Sequence, residues 1–203
     1  MDELFFSASD LIKCSAKKIC YMRGRPRPIT TKRQNDGNKW AESMIMGFPE
    51  MRGIYRAKYG TIFYSFDEIR PYKDCLKLIE YKSVEDINKI EDWYLSNSIL
   101  QMAFYTSLLM LNNDKILSTA SFYLKNGNPF NKIDARYTKR VLSFLNMGGV
   151  KFQVNVIEPY RIVGLFLMKA SMSVNYTKAT AYDAEYKFKE YDRLKKCFEF
   201  KIL

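Results

Sequence analysis

One stretch constrains this chain more than any other: Thr61–Lys82, TIFYSFDEIRPYKDCLKLIEYK. Two apolar runs, Thr61–Arg70 and Leu76–Lys82, flank the polar, Pro-led run Pro71–Asp74. Such a run reverses the chain, so the pattern predicts two short strands joined by a turn. Asp67 and Glu68 stand near the end of the first, and Glu80-Tyr81-Lys82 close the second. Strand side chains alternate between faces, which puts Glu80 and Lys82 on the same side. Charges beside a core are disfavoured unless they are paired or bound to a metal. With Asp67 on the adjacent strand, its carboxylate meets that of Glu80. Two hard oxygen donors with a lysine beside them suit Mg²⁺ or Mn²⁺.

The rest of the chain narrows the chemistry. Its 203 residues fit a single domain, 1–203, with a sizeable core. Lys and Arg number 33 against 22 Asp and Glu, a formal charge of +11. That balance points to an acidic partner, nucleic acid first and an anionic membrane surface second. Aromatic residues make up 15%; such rings can stack on unpaired bases, although most belong in a core. The longest apolar run, Ile162–Met168, falls far short of the roughly 18 residues a membrane span needs. The start, MDELFF, lacks the basic and hydrophobic regions of a secretory signal. The expectation is an intracellular protein with no membrane partner. Histidine is absent, and Cys14, Cys20, Cys75 and Cys197 form no CxxC pair. This argues against structural zinc and removes Ser-His-Asp hydrolysis and any histidine base. Hydrolysis here must use carboxylates, lysine, tyrosine or a metal.

In chain order, residues 7–24 read as one capped helix, with Leu11, Ile12, Ser15, Ile19 and Met22 inward and Lys13, Lys17 and Lys18 in solvent. A basic arm, 23–38, follows, with two prolines and Arg23, Arg25, Arg27, Lys32 and Arg33 ahead of any acid. It suits phosphate gripping, which adds affinity but little sequence specificity. Lys39–Met46 reads as a short helix carrying Glu42, and Phe48–Gly60 as irregular, with Pro49, Gly53 and Gly60. Ser83–Asn113 reads as helical with Ser83 as cap. Gln101 and Tyr105 are four apart in it, on one face. Ile116–Leu124 and Val150–Ile157 read as strands; Asp134–Leu145, Arg161–Val174 and the amphipathic Ala181–Phe200 read as helices. The order suggests an α/β layer arrangement around one small mixed sheet, with an α-rich C-terminal part.

Asp67, Glu80-x-Lys82 and Gln101-x-x-x-Tyr105 form an ordered set. In this set the sequence resembles the PD-(D/E)XK nuclease superfamily, and within it the RecB-like branch. FDEIR at Phe66–Arg70 is similar to the strand with the first metal-binding aspartate, LIEYKS at Leu78–Ser83 to the E-x-K strand, and QMAFY at Gln101–Tyr105 to the Q-x-x-x-Y helix. SASDLIKCSAKKICY is similar to the branch's first helix. The resemblance covers roughly the first 125 residues. It implies a restriction-endonuclease-like core, a small mixed β-sheet flanked by helices, at about 39–125, followed by a C-terminal extension at about 126–203. It implies Mg²⁺ or Mn²⁺ on Asp67, Glu80 and the Tyr81 carbonyl, with Glu42 as a further ligand. It makes Asp67, Glu80 and Lys82 catalytic, and has Gln101 and Tyr105 support the site and the nucleic-acid strand. The implied activity is DNA hydrolysis to 5′-phosphate and 3′-hydroxyl ends, on single-stranded or branched DNA in replication, recombination or repair. A homodimer would favour junction or double-strand cutting, since two sites would face two strands. The small size and unusual C-terminal half suit a virus or mobile element.

The chain departs from the family at three points. Ser65 stands where a glycine usually precedes the aspartate, no upstream histidine exists, and only Cys197 lies near the C-terminus. No iron–sulphur cluster is therefore expected. The departures motivate an alternative: a catalytically inactive nucleic-acid-binding protein that keeps the nuclease fold. A third reading makes Ala181–Phe200 a partner-binding helix.

Overall fold

The predicted hairpin forms, and it is longer than its apolar runs suggest. The structure, a computed structural model, describes residues 4–23, 48–58, 60–73, 75–84, 92–112, 116–126, 149–176 and 189–202. Their elements are β1 (Phe5–Ser7), α1 (Ala8–Lys13), α2 (Ala16–Met22), β2 (Phe48–Ala57), β3 (Gly60–Tyr72), β4 (Cys75–Val84), α3 (Asp92–Asn112), β5 (Ile116–Asn126), β6 (Gly149–Val156), α4 (Pro159–Asn175), α5 (Lys189–Leu194) and β7 (Phe198–Ile202). Pro71 and Tyr72 belong to β3, paired with Leu76 and Cys75. The reversal is tighter than Pro71–Asp74 and turns through Lys73, whose φ is 53°, the left-handed region that two-residue hairpin turns require.

All seven described strands join one mixed sheet. β3 is antiparallel to β2 and β4; β4 runs parallel to β5; β5, β6 and β7 continue antiparallel. β1 pairs in parallel with Phe63 and its neighbours on β3. Since β2 spans β3 from Gly60 to Ile69, β1 and β4 must share the other edge of β3, one at each end. The result is an α/β fold with a small mixed sheet flanked by helices. The C-terminal part contributes strands β6 and β7 to that sheet as well as helices.

The core accounts for the helices. Every residue of α3 from Asn97 to Leu108 is buried. A helix apolar on all sides belongs inside, and α3 packs on β5 and β6 and against α1 and α4. Its serines satisfy themselves: Ser98 and Ser107 donate to the carbonyls of Tyr94 and Ala103. Phe66, Phe104, Phe152 and Phe166 are fully buried, and the Phe104 and Phe166 rings lie 4.2 Å apart. Each such side chain contributes about 1.5–3 kcal/mol by leaving water. Among the described residues, no helix is long and apolar enough to cross a membrane.

Four sequence expectations change. The 7–24 helix is a strand and two helices; it breaks at Cys14, and Ser15 caps α2 by accepting from the Lys18 N–H at 3.1 Å. The irregular Phe48–Gly60 segment is a ten-residue strand. There Gly53 leaves room for the Tyr64 ring, whose nearest atom would stand 2.3 Å from an added Cβ. Ser83 lies in β4 and caps no helix. Ala181–Phe200 does not stay helical: α5 ends at Leu194, and FEFKI alternates as strand β7. The Cys197 carbonyl anchors that change, accepting from the N–H groups of Ile157 and Glu158. The proposed helices Lys39–Met46 and Asp134–Leu145 lie outside the described residues.

Candidate functional site

β3 and β4 stay paired only from Tyr72/Cys75 to Glu68/Ile79. The next register pair would be Asp67 and Glu80, and there the two strands part. The core-facing alternation also slips at this point. Ile62, Tyr64 and Phe66 face the core at intervals of two, yet the next core residue is Ile69. Asp67 sits at the slip, and its Oδ2 accepts from the Tyr81 N–H at 2.7 Å. A side chain thus replaces the ladder bond, and the fork is held open beside two acidic positions.

Glu80 is 5% exposed, so each of its oxygens needs an account. Oε1 accepts from Lys82 Nζ at 2.5 Å and from Gln101 Nε2 at 3.0 Å. Gln101 Oε1 in turn accepts from Lys82 Nζ at 3.2 Å. Glu80 Oε2 is buried without a hydrogen-bond partner. Burial by itself would lower the Lys82 pKa, but the Glu80 charge and hydrogen bond outweigh it, and Asp67 adds to them; the amine is held above its ordinary value. Lys82 is therefore a cation at neutral pH. Tyr105 is hydrogen-bonded with Gln101, and its phenol is pushed far up, first by burial and then by the Glu80 charge. Its ring packs edge-on against Phe66 at 5.4 Å. The chain Tyr105–Gln101–Glu80/Lys82 fixes the site from the core side.

The structure brings Asp67, Glu80, Tyr81, Lys82, Gln101 and Tyr105 together. Gln101 and Tyr105, 6% and 4% exposed, stand on the core side of the charged pair, with Gln101 bonded to both Glu80 and Lys82. Arg23 lies at the surface, and its guanidinium donates to the Ser173 carbonyl at 2.9 Å, capping the C-terminal end of α4. Glu42, Arg25, Arg27, Lys32 and Arg33 lie outside the described residues.

Two further residues belong to the site. Lys13 is exposed on α1, as expected, yet lies within electrostatic reach of the site: its pKa is lowered by desolvation and then by Lys82, with Glu80 and Asp10 working against. Only tertiary contact could reveal this, because Lys13 is remote in sequence from every site residue. Glu68 is fully buried, accepts from the Tyr81 hydroxyl at 2.5 Å and pairs with Arg70 at 2.7 Å. It braces Tyr81, whose main chain serves the site. The two adjacent acids in FDEIR were the available signal.

Among the described residues, no three His, Cys, Asp or Glu side chains gather to hold a metal by themselves. The donor set still fits a hard divalent cation. Mg²⁺ commonly takes one or two carboxylates and keeps several waters. Asp67, Glu80 and the Tyr81 carbonyl provide that set, and the partnerless Glu80 Oε2 is the oxygen a cation would satisfy.

No protein-family model matches this sequence, and no curated protein does. Among solved structures, the chain is similar to "Crystal structure of SSO0001", at 12% identity and a TM-score of 0.51, over 90% of this chain and 82% of that one. That likeness shows the fold alone.

Proposed function

We propose that this protein is a divalent-metal-dependent DNA nuclease, hydrolysing phosphodiester bonds to 5′-phosphate and 3′-hydroxyl ends inside the cell. The observation that carries this reading is the buried, partnerless Glu80 Oε2 at the fork beside Asp67 and Lys82. An isolated buried carboxylate oxygen costs about 1–3 kcal/mol, a cost that makes sense where an ion is to be held. Asp67, Glu80 and the Tyr81 carbonyl would hold Mg²⁺ or Mn²⁺, which would supply Lewis acidity and a bound water of lowered pKa. Lys82 is the chain's own contribution to charge stabilisation. Kept protonated, it offers an ammonium to the phosphate in a partly dry site, where such a charge is worth most. Gln101 holds both Glu80 and Lys82. The formal charge of +11 favours approach of a polyanion.

Cleavage of single-stranded and branched DNA with Mg²⁺ or Mn²⁺, beside Asp67→Ala and Glu80→Ala, tests this reading. Loss of cleavage in both variants is expected; activity that survives both sinks the proposal. A second reading has its own support. Asp67 is engaged by the Tyr81 N–H and Glu80 by Lys82, an arrangement that also suits a nuclease fold kept only for binding. Salt-sensitive DNA binding with no cleavage under any metal would favour it.

A further inference from the structure

The face of the sheet opposite the core carries a patch that the catalytic reading leaves unused. Cross-strand pairing sets Arg52 opposite Ser65, Ile54 opposite Phe63 and Arg56 opposite Thr61. β1 sets Phe5 beside Thr61 on the same face. Paired residues share a face, so Phe5, Arg52, Ile54, Arg56 and Phe63 lie on one side of the sheet, with Thr61 buried among them. Phe5 is 61% exposed, and Phe63 and Ile54 are each 46% exposed. The Phe5 and Phe63 rings are 5.4 Å apart and tilted by 37°, touching each other while both remain open to solvent. Arg52 and Arg56 are exposed and stand about 13 Å apart along β2, with Ile54 and Phe63 between them. Exposed apolar side chains in mutual contact and rimmed by charge mark an interaction site.

We infer that this face binds single-stranded nucleic acid, with unpaired bases stacked on Phe5 and Phe63 and the phosphate backbone held by Arg52 and Arg56. Rings on a rigid sheet with cations at backbone distance are the two parts such binding needs. Guanidinium groups suit phosphate better than a point charge, and they also stack on bases. Duplex DNA keeps its bases paired and hides the faces that the rings would meet, so the site discriminates against it. The inference rests on the composition of this face and is independent of cleavage at Asp67 and Glu80.

The test measures binding of a fluorescein-labelled oligothymidylate, and of a duplex of equal length, by anisotropy in EDTA. Phe5→Ala/Phe63→Ala should weaken oligothymidylate binding by about tenfold per ring and leave duplex binding nearly unchanged. Both rings are exposed, so the fold should survive, as circular dichroism would confirm. Arg52→Gln/Arg56→Gln should reduce the salt slope by about 1 to 2 between roughly 50 and 200 mM salt. Phe63→Trp should show indole fluorescence quenched by the oligonucleotide. Unchanged affinity in the folded double-Phe variant, or no quenching, overturns the proposal. So does a wild-type dimer that Phe5→Ala/Phe63→Ala dissociates with no change in oligonucleotide binding, which would make the patch a self-association surface. A protein that binds in this way yet never cleaves refutes only the nuclease reading.

Discussion

Glu80→Gln is the substitution that probes the site most directly, because stability alone can read it. In the wild type, Lys82 is only 17% exposed at its side chain and is neutralised by Glu80 at 2.5 Å. Glutamine keeps the shape and can still hydrogen-bond, but it removes the counter-charge. Leaving one member of a buried pair costs about 3–5 kcal/mol. Here Gln101 Oε1 and the Asp67 charge still serve the amine, so the expected cost is nearer 2 kcal/mol. For a chain of this size that is a fall of about 4–8 °C in Tm. Burial, the term that lowers the Lys82 pKa, should then win, and the pKa should drop below its ordinary value. The pair's sign follows: with a folded pKa above 10.5, its stabilisation is fully present below 10.5 and fades only as pH rises through the folded value.

The same variant separates metal binding from structure. Mn²⁺ at about 100 times its dissociation constant should stabilise the wild type by about 2.7 kcal/mol, or about 5–11 °C, in a thermal melt against EDTA. Glu80→Gln should show little of that shift. Equal shifts in both proteins, or no metal-induced shift in the wild type, would refute the assignment of Glu80 Oε2 as a cation ligand. An unchanged Tm of Glu80→Gln in EDTA would refute the pairing argument for Lys82.

Three further outcomes follow from the packing. Gly53→Ala should destabilise by at least about 2 kcal/mol in urea denaturation, since its Cβ would stand 2.3 Å from the Tyr64 ring; adding Tyr64→Leu should recover much of the loss. Lys169 and Glu190 form a buried pair at 3.1 Å between α4 and α5, so Lys169→Met should cost about 3 kcal/mol while Lys169→Met/Glu190→Leu returns close to wild type. Burial lowers the Lys169 pKa, so wild-type stability relative to that double variant should rise as pH climbs toward 10.5. Tyr81→Phe strips the fully buried Glu68 of a 2.5 Å hydrogen bond and should cost about 1–3 kcal/mol, read as a lower urea midpoint at unchanged m-value.

The sequence was informative where a single local signal governed the outcome. The strands at Ile116–Asn126 and Gly149–Val156 and the helix at Pro159–Asn175 lie within two residues of the expected Ile116–Leu124, Val150–Ile157 and Arg161–Val174. It misled where two signals competed. Pro49 and Gly53 looked like breakers, yet β2 pairs only with β3 among the described strands, where a proline is tolerated and the missing side chain makes room for Tyr64. At the C-terminus, one amphipathic reading spanned both α5 and β7, because Phe198 fits a helical stripe as well as a two-residue alternation.

By itself, the sequence determined the hairpin, the identity of its charged residues and the apolar helix that would lie over them. It also set the formal charge of +11 and the absence of histidine chemistry. Tertiary structure alone decided that β3 and β4 part between Glu68 and Asp67, where the Asp67 side chain takes the Tyr81 N–H, while β1 pairs with Thr61–Phe63 at the far end of that edge. It alone set one Glu80 oxygen in a dry place without a partner, brought Gln101 against Glu80 and Lys82, and left Phe5 and Phe63 exposed together. Each depends on residues far apart in the chain, whose meeting no local pattern encodes.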